Sequence, residues 1–249
     1  MKKAVLLLHG YATDKTDFDK IVPYLYGIYD KVNVGNYPGH GLDKKDHLQN
    51  FNAIDTIKSV DKWAEELFNE YDLVDVIGFS MGGALATYLA TQHNFNKVVL
   101  LAPANKYING AVGFSRTKLY FDYLKERIAN KDNELLELRK NILEDDKTSM
   151  NMAVKRLLPN YTPKSLIQFT QIIDYCNSKL MNYKIESPTL IVYGTIDQLV
   201  PKSSVKFVKK HANNCQIKVL NGISHLMFNS RNVSELTETV LSFLCKEDK

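Results

Sequence analysis

The 249-residue chain predicts an α/β protein: a mostly parallel sheet of about six strands, with helices on both faces and a helical insertion between two of the strands. Three observations carry that prediction. Short apolar, β-branched runs alternate with longer helical patterns near both ends of the chain. The runs are continuously apolar rather than alternating, the pattern of strands covered on both faces. Between about residues 104 and 183 the rhythm stops, and only helical patterns remain.

The six candidate strands are residues 4–8, 31–35, 73–77, 97–101, 188–193 and 215–220, each expected to be buried on both sides. After the second, Ile54, Ile57, Val60, Trp63, Ala64, Leu67 and Phe68 recur at three and four residues. That spacing puts one apolar stripe on a helix of about four or five turns, with Asn52 or Asn50 as its cap. Residues 84–93 form a helix of small side chains able to pack closely on the sheet. A further helix follows Pro201 and carries Val205 and Val208, and a last one carries Leu236, Val240, Phe243 and Leu244 before a charged tail.

The chain therefore divides into a core of residues 1–103 and 184–249 and an insertion of residues 104–183, with helical clusters at 119–128, 135–143 and 165–175. Phe114, Tyr120, Phe121, Tyr123, Leu157, Leu158, Tyr161, Phe169 and Tyr175 give the insertion more apolar surface than a solvated loop needs. Most of these side chains are expected to pack the insertion onto the core.

Composition excludes several classes. A hydrophobic share of 45% and a charged share of 24% are ordinary for a globular chain and argue against disorder or a membrane-embedded fold. The apolar run at residues 4–8 is too short to span a bilayer and leads into His9-Gly10 rather than a cleavage site, so a cytoplasmic protein without integral membrane association is expected. Cys176, Cys215 and Cys245 are odd in number, far apart and without a C-x-x-C spacing. They read as reduced packing residues, not as a disulfide framework or a metal site. The net charge of +4 is modest, and its lysines are mixed with acids, as in Lys44-Lys45-Asp46 and Lys131-Asp132-Asn133-Glu134, so nucleic acid is not the expected partner.

The strongest local motif is Gly78-Phe79-Ser80-Met81-Gly82-Gly83, a G-x-S-x-G between a predicted buried strand and a predicted helix. A serine on so sharp a turn is held in a strained backbone, and glycines two residues to each side remove Cβ atoms that would collide there. The turn also sets the hydroxyl near the N–H groups that open the following helix. No lysine follows these glycines, which excludes a P-loop, and the glycine spacing does not fit a dinucleotide fingerprint.

Serine is a poor nucleophile near neutral pH, so it needs a base and a group that orients the base. Three histidines follow Ser80 in sequence. His93 ends the helix that Ser80 begins, ~15–20 Å away at 1.5 Å per residue, and His211 sits among lysines where exposure is expected. His225, in the turn Asn221-Gly222-Ile223-Ser224-His225 after the last strand, is the best base. Asp197, in Gly194-Thr195-Ile196-Asp197 after the fifth strand, is the best orienting acid.

With His9-Gly10-Tyr11, Tyr37-Pro38-Gly39-His40-Gly41, the serine turn, Gly194-Thr195-Ile196-Asp197 and Ser224-His225 in place, the chain resembles the α/β-hydrolase superfamily. Within it, the chain is most similar to bacterial carboxylesterases and monoacylglycerol lipases. The order Ser80, Asp197, His225 is that superfamily's order. The resemblance implies a catalytic Ser80-His225-Asp197 triad and an oxyanion hole of the Tyr11 and Met81 backbone N–H groups. His9 and Gly10 would shape the first loop, Gly78 and Gly82 would permit the serine turn, and His40 would be structural. It also implies a sheet lacking two N-terminal edge strands of larger members, which trims the sheet and not the site.

On this reading the substrate is a small-molecule carboxylic ester with an apolar short-to-medium acyl or alcohol group, and the chemistry needs neither cofactor nor metal. The insertion would act as a cap that supplies the substrate pocket. A thioesterase, an acyltransferase or a C–C hydrolase would keep the same triad, and a non-enzymatic ligand-binding protein on the same fold is the alternative of a different class. Epoxide hydrolases and haloalkane dehalogenases resemble the chain but carry aspartate where Ser80 stands. Ser115-Arg116-Thr117-Lys118 fits S-x-x-K with no other feature of the penicillin-recognising enzymes, and is read as chance. The sequence does not specify the oligomeric state.

Overall fold

A computed structural model describes residues 1–41, 48–106, 163–197 and 199–246. Six strands form one parallel sheet: β1 (Lys3–Leu8), β2 (Lys31–Val34), β3 (Leu73–Phe79), β4 (Lys97–Leu101), β5 (Thr189–Gly194) and β6 (Cys215–Leu220), in the order β2-β1-β3-β4-β5-β6. Among the described residues the helices are a single turn α1 (Val22–Leu25), α2 (Ala53–Glu70), α3 (Met81–Gln92), α4 (Pro163–Asn182), α5 (Lys202–Lys210) and α6 (Val233–Cys245). Two 3₁₀ turns lie at Lys15–Phe18 and Met227–Asn229. All six expected strands and the expected helices of the core are present. The helical clusters at 119–128 and 135–143, Ser115–Lys118 and the named aromatic residues from Phe114 to Tyr161 lie outside the described residues, as do both lysine-rich segments cited for charge.

The central strands feed two cores. Ala4, Leu6 and Leu8 of β1, Val98 and Leu100 of β4, and Ile191 and Tyr193 of β5 join the cluster under α2, α3, α4 and α5. The intervening Val5, Leu7, Val99, Leu101, Leu190 and Val192 join the opposite cluster with Phe18, Leu25 and the buried side of α6. A strand with period-two side chains and an apolar layer on each side has no polar positions to offer, which is why these runs look unbroken in sequence.

The outer strands depart from the expectation of two buried faces. Along β6, Gln216, Lys218 and Val219 are exposed, and β2 is exposed at Lys31 and only half-buried beyond it. Among the described residues each lies at an end of the sheet with a single neighbouring strand.

Helix α2 begins where predicted: Asn52 Oδ1 accepts from the Ile54 and Asp55 N–H groups at 2.9 and 3.1 Å. Its buried stripe is Ala53, Thr56, Val60, Ala64 and Leu67. Ile54, expected on that stripe, is 63% exposed because it sits about 100° from Ala53 around the helix. On α4, Phe169, Ile172, Ile173, Cys176 and Leu180 are buried in the same cluster as α2 and α3. The cysteines are free, with Cys176 buried, Cys215 half-buried and Cys245 exposed, so only Cys176 is a fully buried packing residue. Among the described residues no helix is long and apolar enough to cross a membrane.

The amino end of the sheet holds a buried carboxyl. Asp75 Oδ2 accepts from the Tyr29 hydroxyl at 2.5 Å, and Oδ1 accepts from Asn96 Nδ2 at 2.8 Å. Burial raises its pKa above the ordinary 3.8, against the lowering effect of these hydrogen bonds and of Lys97. The folded state therefore holds the Asp75 proton more tightly than the unfolded chain. Its stabilising contribution is complete below the unfolded value and is lost as pH rises through the folded one.

Two outcomes follow for stability. Asn52→Ala is expected to lower unfolding free energy by about 1 kcal/mol through loss of the helix cap, measured by urea denaturation. In the same assay from pH 3 upward, wild type minus Asp75→Asn should be most favourable at the acid end and should decline as pH rises above the ordinary carboxylate range. A flat difference would exclude Asp75 as the titrating group.

Candidate active site

The register of the sheet brings five loops to one edge. Leu8 pairs with Gly78, Phe79 with Leu101, and Gly194 with Leu220, so residues 9–12, 80–81, 102–105, 195–197 and 221–225 all leave from the carboxyl ends of neighbouring strands. The sheet order reverses between β1 and β3, and at such a switch point a crevice opens for a ligand.

Ser80 sits at the tip of the turn from β3 to α3 with φ 55° and ψ −114°. For a non-glycine residue this backbone is strained by about 1–3 kcal/mol and persists only if its surroundings hold it. They do so through three backbone bonds. Ser80 N–H donates to the Leu101 carbonyl at 2.9 Å, and the Ser80 carbonyl accepts from Ala104 at 2.9 Å and Ala84 at 3.2 Å. The two glycines predicted to permit the turn are pressed against main chain. A Cβ on Gly78 would lie 2.3 Å from the Gly82 carbonyl oxygen, and one on Gly82 would lie 1.9 Å from the Leu8 carbonyl oxygen. Met81 opens α3, so its N–H belongs to the first turn and has no acceptor within the helix.

His225 and Asp197 come together with Ser80. Asp197 Oδ1 accepts from the N–H groups of Leu199 and Val200, both at 2.9 Å, which fixes the carboxylate. Its other oxygen, Oδ2, lies 2.9 Å from His225 Nδ1, and His225 Nε2 lies 3.0 Å from Ser80 Oγ. An acceptor-only carboxylate calls for a proton on Nδ1, which leaves Nε2 to accept from the serine hydroxyl. All three side chains are buried, and the Phe79 ring lies 5.2 Å from the imidazole. Burial, with the Asp197 charge second, pushes the neighbouring Tyr193 phenol up to about 12.

The two loops that carry Asp197 and His225 are laced to each other. Thr195 N–H donates to the Leu220 carbonyl and Ile196 N–H to the Ile223 carbonyl, while Gly222 N–H donates to Thr195 Oγ1 at 2.9 Å. Gly194 permits this contact, since a Cβ there would lie 2.1 Å from the Ile223 carbonyl oxygen.

On the other side of Ser80 is the loop after β1. His9 is fully buried; its Nδ1–H donates to the Gly10 carbonyl at 2.8 Å, and its ring lies 4.1 Å from that of Tyr37. Gly10 N–H donates to Asp17 Oδ2 at 3.2 Å, Thr13 Oγ1 donates to the same oxygen at 2.5 Å, and Ala12 N–H donates to His40 Nε2 at 3.3 Å. Thus His40, expected to be structural, ties the Tyr37–Gly41 turn to the first loop. Thr13 and Asp17 were not singled out in sequence, although a Thr and an Asp four residues apart just after His-Gly are a local signal for such a clasp. The histidines set aside lie elsewhere: His93 caps α3 and stacks on Phe68 at 4.9 Å. His211 is half-buried rather than exposed, because its Nδ1–H turns back to the Phe207 carbonyl at 2.8 Å.

Comparison with known proteins agrees with this fold. The family model for the alpha/beta hydrolase fold matches residues 3–229. The chain belongs to the α/β hydrolase family. Relatives of this α/β hydrolase include a pimeloyl-[acyl-carrier protein] methyl ester esterase of Neisseria meningitidis serogroup C, 24% identical, with 91% of this chain and 88% of the relative covered. Monoacylglycerol lipase abhd6-B of Xenopus laevis is 23% identical, with 99% of this chain and 77% of the lipase covered. A solved structure described with LipS and LipT, two metagenome-derived lipolytic enzymes, superimposes with a TM-score of 0.70 at 14% identity, covering 99% of this chain and 95% of the other.

The contact of Gly82 with the end of β1 generates a stability prediction for this α/β hydrolase. Gly82→Ala drives a methyl group into a main-chain carbonyl that cannot rotate away, so its cost should exceed the roughly 1–3 kcal/mol usual for overpacking. Thermal unfolding of purified Gly82→Ala should show a large fall in Tm or no folded protein. A Tm equal to wild type would mean that α3 does not approach Leu8 this closely.

Proposed function

We propose that this α/β hydrolase is a serine esterase that cleaves carboxylic esters with an apolar short-to-medium acyl or alcohol group. What carries the reading is the unbroken line of hydrogen bonds from Asp197 through His225 to the strained Ser80. Such a line is what activates a hydroxyl that is otherwise a weak nucleophile. In the proposed cycle Ser80 Oγ attacks the ester carbonyl carbon while His225 Nε2 takes the hydroxyl proton. Asp197 keeps the ring oriented and stabilises the imidazolium. The oxyanion is received by the Tyr11 and Met81 backbone N–H groups, which lie at the ends of adjacent strands.

His225 then gives its proton to the departing alcohol, leaving the acyl group on Ser80. Water enters, loses a proton to His225 and attacks the acyl carbon; collapse of the second intermediate frees the acid and restores the serine. The relatives, a methyl ester esterase and a monoacylglycerol lipase, support ester chemistry and an apolar acyl group. So do the rings beside Tyr11, with Phe169 at 4.8 Å and Phe51 at 5.8 Å. Residues 104–183, read as a cap over the site, would complete the substrate pocket. The partner is then a small-molecule ester, and a cytoplasmic setting agrees with the three free cysteines.

Fluorophosphonate labelling together with a p-nitrophenyl ester series tests the proposal. Wild type should label and should turn over short-to-medium acyl chains fastest. Ser80→Ala should lose labelling and about 10⁴-fold or more in kcat at unchanged Tm. Labelling of Ser80→Ala equal to wild type would refute the nucleophile, and a wild type that binds esters without labelling or turnover would favour a ligand-binding protein.

A further inference from the structure

Tyr11 is gripped by a helix far away in sequence. Along α4, Ser165, Phe169, Ile172, Ile173, Cys176 and Leu180 recur at three and four residues, and all six are buried. Ser165 is the one hydroxyl on this otherwise apolar stripe and is 1% exposed. Its Oγ lies 2.8 Å from the Tyr11 hydroxyl, and one turn on, the Phe169 ring lies 4.8 Å from the Tyr11 ring. On the same helix, Gln168 Oε1 accepts from Ala53 N–H at 2.8 Å, so the start of α4 is also fastened to the start of α2.

Packing alone does not account for Ser165. Alanine has nearly the same volume and no hydroxyl to desolvate, so a buried serine is favoured only where its hydroxyl is used. One partner of that hydroxyl, at 2.8 Å, belongs to the residue whose N–H is the proposed oxyanion donor. The amides on either side of that residue are already tied, Gly10 to Asp17 and Ala12 to His40. The Ser165 contact adds a third point and holds the side chain of Tyr11 itself.

We propose that Ser165 is a positioning residue for ester hydrolysis: through the Tyr11 hydroxyl it fixes the direction of the Tyr11 N–H and so couples helix α4 to the strength of the oxyanion hole. The proposal rests on the reading of Tyr11 as a donor. Oxyanion stabilisation depends on donors aimed before the reaction begins, and a misplacement of about 1 Å can cost 10²-fold in rate. The hydroxyl is the part of Ser165 that matters, so threonine should serve where alanine fails.

The test is steady-state hydrolysis of a p-nitrophenyl ester by Ser165→Ala, Tyr11→Phe, the double variant and Ser165→Thr, each with fluorophosphonate labelling and Tm. Ser165→Ala and Tyr11→Phe should each lower kcat about tenfold or more with KM within about twofold. The double variant should lose no more than either single one, and Ser165→Thr should recover most of the rate. Affinity for a trifluoromethyl ketone of the same acyl chain should fall in step with kcat/KM, since that adduct places an oxyanion in the hole.

If Ser165→Ala does not fold, Tyr11→Phe carries the same test from the other partner. A Ser165→Ala enzyme with wild-type kcat overturns the proposal while its labelling leaves Ser80 as nucleophile. A fall in Tm with unchanged kcat overturns it in favour of packing. A wild type that neither labels nor turns over overturns both this inference and the esterase reading beneath it.

Discussion

The close seating of α3 against the carboxyl end of β1 is the constraint from which the site follows. Only with hydrogen at Gly82 Cα can the helix lie on the Leu8 carbonyl, and only then does the turn before it fold back tightly enough to force Ser80 into its positive φ. The same contact brings the loop after β1 beside the first amides of α3. The proposed nucleophile and oxyanion donors are therefore products of one packing event rather than of separate loops. The strain at Ser80 is sustained by bonds to β4, to the segment just beyond it and to α3, so β3, β4 and α3 share in holding it.

The proposed orienting acid and base, Asp197 and His225, are set by a second close contact, on the opposite side of Ser80. Gly194 against Ile223 locks the loops after β5 and β6 together, and Asp197 spends one oxygen on two backbone amides so that only the other faces His225. This division of labour fixes the tautomer of the ring without a further residue. Both halves of the site thus rest on glycines whose role is proximity.

Much of this was legible in sequence because parallel strands with two covered faces have a strong signature, and because the serine turn, Asp197 and His225 sit at fixed places relative to them. The cap of α2 was legible to within two candidates, Asn52 and Asn50, for the same local reason, and the structure selects Asn52. What was hidden depends on contacts across the chain. The Tyr11–Ser165 bond joins residues 154 positions apart, and nothing near either one announces the other. Ser165 could be seen only as a hydroxyl misplaced on an apolar stripe. Likewise the apolar run of β6 does not say that it ends the sheet; Lys218 and Gln216, alternating within it, were the hint.

That partial exposure of the outer strands has a colloidal consequence. An edge of a parallel sheet carries unpaired N–H and carbonyl groups, an open template on which another polypeptide can add a strand and begin to aggregate. Here one border displays Lys31 and the other Lys218 beside Gln216. An incoming strand would have to desolvate a cationic side chain at either border, so the positions that spoil the expected apolar run protect the sheet against growth by templated pairing.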